Sequence, residues 1–144
     1  MIQLRNENES LLEMAIINPK VCKQLSIQVE IEQRDEGPIP HVHVYLDKTR
    51  NPKNCAFVRL DKCEYSDHHK NGKTLNKKQK AEFIELMESM SGSHVMEDKK
   101  GNLVRANGYQ SAVLIWSETY EDEKLDKFNV DDNGIIQTID YRNL

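Results

Sequence analysis

The sequence predicts a single α+β domain, 1–144, built on an antiparallel sheet of three or four strands (a β-meander) with helices packed on one face. Three observations point there. Residues 24–34 alternate between apolar and polar side chains from Leu25 to Glu32. Two further short β-rich runs, 41–46 and 55–60, follow across turn-forming residues. Beyond residue 76, two segments carry apolar residues at helical spacing behind an asparagine suited to capping. With 144 residues and 38% hydrophobic content, the chain is long enough to bury roughly two-thirds of its unfolded surface in one core.

The first element expected is a helix over about 8–17, where Leu11, Leu12, Ala15 and Ile16 share a face and Asn18-Pro19 forms the stop. The alternating strand places Leu25, Ile27, Val29 and Ile31 on one side and Ser26, Gln28, Glu30 and Glu32 on the other. Asp35 to Pro40 reads as a turn, and a loop around Arg50-Asn-Pro-Lys-Asn54 joins the second strand to the third. If Val42, Val44 and Leu46 share a face with Ala56, Val58 and Leu60, that face is wholly apolar and helices cover it. The opposite face then carries Glu30, Glu32, His41, His43, Tyr45, Cys55, Phe57, Arg59 and Asp61, a solvated ionisable patch. Asn76 should cap a helix to about Met90 that buries Phe83, Ile84, Met87 and Met90. His94 to Arg105 fits a small hairpin, and Asn107 should cap a last helix to about Tyr120. An acidic surface run and a turn at Asp131-Asp-Asn-Gly134 complete the chain.

The formal charge of −4 hides an asymmetry, since residues 48–80 hold ten Lys or Arg against three acids and are locally +7, leaving −11 elsewhere. Such a dipolar surface steers anionic partners to one side. No apolar stretch approaches the roughly 20 residues that cross a bilayer, and Met1 to Arg5 does not open an apolar leader segment. Cys22, Cys55 and Cys63 lack metal-ribbon or disulfide spacing and read as reduced thiols. A cytoplasmic location is the expectation.

Four of the five histidines lie between His41 and Lys80. His41-x-His43 on a strand points both imidazoles to one face about 7 Å apart. With Glu32 or Asp61 as carboxylate ligands, a divalent metal could be held there to activate water, with His68 or His69 as base. That is a metal-dependent, nuclease-like hydrolase. The competing expectation, which the sequence favours, has no cofactor and pairs these residues across strands. The basic run Lys70 to Lys80 sits at a helix N-terminus, where an acidic protein surface or nucleic acid could be gripped. Aromatic residues do not interleave with those lysines, which argues against stacking on bases. Asn129-x-Asp131-x-Asn133-Gly134-x-Ile136 follows a calcium loop in part, but Asp140 stands where a Glu closes such loops, and a β-turn is the better reading. No nucleophile elbow, Walker motif or dinucleotide fingerprint is present.

Pro38-Ile-Pro-His41-Val-His43-Val resembles the strand motif Pro-Pro-Pro-His-Phe-His-Val of a small uncharacterised bacterial domain family often found near toxin–antitoxin-like genes. The resemblance covers about residues 25–62, with Ile39 and Val42 departing from the motif. It implies a β-meander packed on helices and lends no activity. The combined expectation is a non-enzymatic binding module of a bacterial or phage cytosol, in which His41, His43, Tyr45, Arg59 and Asp61 make contacts and Lys73, Lys77 and Lys78 attract the partner.

Overall fold

A computed structural model describes residues 14–16, 25–32, 39–47, 49, 51–66, 72–119 and 128–144. The alternation of the sequence becomes a four-stranded antiparallel meander in the order β1-β2-β3-β4. Its strands are β1 (Met14–Ile16), β2 (Gln28–Glu32), β3 (His41–Tyr45) and β4 (Cys55–Arg59). A helix α1 (Lys77–Glu88), a two-stranded hairpin of β5 (Met90–Glu97) and β6 (Leu103–Asn107), and a helix α2 (Gly108–Thr119) follow.

One expectation fails at the start. Residues 14–16, read as part of a helix over 8–17, form a strand that pairs with β2 in the register Met14↔Glu32, Ala15↔Ile31, Ile16↔Glu30. Met-Ala-Ile suits either periodicity, and pairing with the otherwise open edge of β2 supplies hydrogen bonds that outweigh a weak helical preference. The rest of that expected helix, most of the Asp35 to Pro40 turn and the acidic run after α2 lie outside the described residues.

The register between β3 and β4 is the one that makes an apolar face, pairing Val42 with Val58 and Val44 with Ala56. That face joins Val29 and Ile31 of β2 in a core completed by Phe83, Leu86 and Met87 of α1 and by Tyr109, Ala112, Val113 and Trp116 of α2. The outer edge of β4 is not left open. The chain returns along it, with Arg59 N–H donating to Glu64 O, Ser66 N–H to Phe57 O and Lys73 N–H to Cys55 O. Tyr109 and Tyr141 pin the end of the sheet by donating their hydroxyls to the carbonyls of Leu60 and Arg59.

Both expected helix caps form. Asn76 accepts from Gln79 N–H while the Gln79 side chain accepts from Asn76 N–H, and Asn107 and Gln110 repeat the arrangement at α2. Reciprocal pairs of this kind satisfy donors that helix geometry leaves open. Gln110 also donates to the Ile136 carbonyl and Asn107 to the Thr138 hydroxyl, which fastens the C-terminal segment. At Asp131 the turn reading holds: its carboxylate accepts from Asn133 N–H, Ile135 N–H and the Gln137 amide. Those oxygens are engaged by the turn itself.

The two helices meet where Gly108 opens α2 against the end of α1. A Cβ on Gly108 would lie 2.2 Å from the Leu86 carbonyl oxygen and 3.1 Å from the Met87 Cα. Backbone cannot give way as a side-chain tip can, so Gly108→Ala is expected to lower stability by about 2–3 kcal/mol in urea unfolding. His94 on β5 is buried, and desolvation lowers its pKa below the usual 6.5. A depressed folded-state pKa means the unfolded chain takes the proton first. Stability is therefore complete above pH 6.5 and falls as the pH drops below it, and His94→Gln should flatten that part of the pH profile of urea midpoints.

Candidate functional site

Because side chains alternate along a strand, the register that builds the apolar face also gathers His41, His43, Tyr45, Cys55, Phe57 and Arg59 on the reverse of the meander. Glu30 joins them as the cross-strand partner of His43. The expectation of a solvated patch is corrected here. His41 is 1% exposed, His43 7%, Tyr45 6%, Phe57 6%, and Cys55 and Glu30 are fully buried. Arg59 and Asp61 at the margin keep partial access.

Burial is tolerable because these rings behave as aromatic core. The imidazoles of His41 and His43 stack with centroids 5.4 Å apart and planes 16° from parallel. Phe57 meets His43 edge to face at 4.9 Å, and Trp116 of α2 lies 5.6 Å from His41. Such offset and edge-to-face contacts contribute about 0.5–1.5 kcal/mol each beyond area burial. His41 Nδ1–H donates to the Ile39 carbonyl at 2.8 Å, since a carbonyl oxygen can only accept. The Tyr45 hydroxyl stands 3.5 Å from His43 Nδ1, and the Gln28 amide donates to the Glu30 carboxylate.

Of the residues expected at a metal site, His41 and His43 do not aim at a common point. Near-parallel imidazoles direct their in-plane lone pairs side by side rather than at one point. Asp61 is held by both arms of Arg59 at 2.8 and 2.7 Å, and that hydrogen bonding and positive charge keep its carboxyl below the usual range against the opposing effect of burial. The Glu32 backbone belongs to β2, with its side chain outside the description, as are His68 and His69. Among the described residues no group of three or more His, Cys, Asp or Glu is set to hold a metal ion.

The basic segment divides in two. Lys62 reaches Glu64, and Lys80 donates to the carbonyls of Arg142 and Leu144, so these two cations are engaged locally. Lys53, Lys73, Lys77 and Lys78 are exposed, and none has an ion-pair partner among the described residues. The bond from Lys73 N–H to Cys55 O brings Lys73 beside the loop that carries Lys53, and Lys77 and Lys78 open α1 four residues further on. The first turn of α1 holds no acid. Positive side chains there work against the helix macrodipole, so they do not serve helix stability.

Trp116 is the contributor that the sequence did not offer as part of this patch. It lies in the core, and no local signal could bring it to His41, since that contact spans two elements far apart in the chain. No model of a known protein family matches the chain, and no curated protein or solved structure matches it either.

The buried rings act on stability. His43→Ala removes a ring in contact with Phe57 and His41, and a loss of about 2–4 kcal/mol in urea unfolding is expected, whereas Lys73→Ala should stay within about 0.5 kcal/mol of the wild type.

Proposed function

We propose that the chain is a non-enzymatic binding module that docks an acidic protein surface through Lys73, Lys77 and Lys78, with Lys53 beside them. One observation carries the reading: three exposed ammonium groups without carboxylate partners among the described residues stand at the positive end of a well-capped helix. Placement there costs helix stability and concentrates positive potential, a combination suited to attracting an anionic partner. The buried face of His41, His43 and Tyr45 supports this surface from within, as the scaffold of the strand that Lys73 joins. Arg59 and Asp61, at the partly exposed margin, form a fixed pair beside it.

A protein partner is favoured over nucleic acid because the aromatic residues near these lysines are withdrawn. Tyr45 and Phe57 are buried, and Tyr65 spends its hydroxyl accepting from Leu75 N–H. Among the described aromatic residues only Tyr65 is partly exposed, so no series of rings follows the lysines for unpaired bases to stack on. Among the described residues no helix is long and apolar enough to cross a membrane. The thiol of Cys63, which forms no disulfide, suits a reducing cytosol, which is the setting proposed.

The test uses labelled polyglutamate and a duplex oligonucleotide as probes in fluorescence anisotropy, at low and at moderate ionic strength. Polyglutamate should bind, weaken with salt, and lose about tenfold or more in affinity in the Lys73→Glu/Lys77→Glu/Lys78→Glu variant. Lys77→Glu and Lys78→Glu should at the same time stabilise the protein by about 0.3–1 kcal/mol each, because acids favour a helix N-terminus. Binding of the oligonucleotide alone would move the partner to nucleic acid. Failure of both probes, or binding indifferent to the triple reversal, would refute the reading.

A further inference from the structure

The hairpin β5–β6 turns one face inward and one outward. Met96 and Ala106 are buried, while Val95 is 52% and Leu103 72% exposed, the latter the most exposed large apolar side chain among the described residues. Glu97 and Arg105 share the outer face and are exposed. The register Val95↔Arg105 and Glu97↔Leu103 sets these four residues at the corners of a rectangle, about 7 Å along the strands and 5 Å across. Its two apolar residues occupy one diagonal and its two opposite charges the other. Glu97 and Arg105 form no ion pair with each other or with any other described residue.

We infer that this hairpin face is a self-association surface whose partner is a second copy of the chain. A homodimer interface presents the same patch twice, so each group must suit its symmetry mate. A two-fold axis along the Val95–Leu103 diagonal places Val95 on Val95 and Leu103 on Leu103, and brings each Glu97 to the partner's Arg105. Every other simple choice is worse. Axes along or across the strands set a charge on an apolar side chain, and the other diagonal sets Glu97 on Glu97 and Arg105 on Arg105. The pattern is thus complementary to itself in one orientation, and the mismatches oppose the rest. Four residues cover less than the roughly 800 Å² per partner of a stable complex, so the dimer is weak and its population depends on concentration. Lys73, Lys77 and Lys78 take no part in it.

Sedimentation velocity of the full chain over a concentration series tests the assignment. A reversible monomer–dimer equilibrium is expected, and Leu103→Asp should abolish it. Glu97→Arg and Arg105→Glu should each weaken the dimer about tenfold, because symmetry counts every substitution twice. The double exchange Glu97→Arg/Arg105→Glu should restore affinity to within about threefold of the wild type, a recovery that damage to folding could not produce. A monomer at all concentrations would overturn the inference, as would a dimer unchanged by the single reversals or not recovered by the double exchange.

Discussion

The pairing of β3 with β4 is the constraint on which the rest depends. Because Val42 faces Val58 and His43 faces Phe57, every position of the two strands is assigned at once to one of two faces. One face joins the core shared with α1 and α2 through aliphatic side chains, and the other carries stacked imidazoles and aromatic rings that Trp116 of α2 also meets. A one-residue slip would exchange these sets and press His41 and His43 onto Phe83 and Leu86. The returning chain at 64–66 and 73 then locks the register by taking up the outer backbone groups of β4.

The meander was legible because its signals are local. Val29 and Ile31 alternate with charged neighbours, and Asn76 and Asn107 each stand three residues ahead of a glutamine that completes the cap. At Met14 to Ile16 the sequence misleads, since three apolar residues satisfy either period and the outcome rests on an edge some fifteen residues away. The buried reverse face was misread for a related reason. Alternation separates two faces but does not say that the polar one meets solvent, and imidazole is a residue for which both outcomes are affordable. The decisive contacts, Trp116 to His41 and Phe57 to His43, are tertiary.

A neutral imidazole has two nitrogens to satisfy and an aromatic face to pack, so its burial is stable only when the tautomer is set and the ring is covered. In His41 the Ile39 carbonyl takes the Nδ1 proton and the rings of His43 and Trp116 lie alongside. The motif Pro40-His41-Val42-His43 is therefore a packing device as the structure draws it. The proline-bounded entry places the Ile39 carbonyl two residues before the ring that donates to it, which is why the strand starts at His41.

Chemistry and exposure are thus distributed against first appearances. Among the described residues the imidazoles of His41, His43 and His94 lie in the interior, while Lys53, Lys73, Lys77 and Lys78 and a four-residue pattern on a hairpin are exposed. Lysines at the opening of α1 are the more telling of the two. A sequence shaped only for stability would set acids at positions 77 and 78, where the backbone dipole rewards them, and the excellent Asn76–Gln79 cap shows that this terminus is otherwise well made. The proposed anionic partner would account for a helix start that is well capped in its backbone and opposed in its charge.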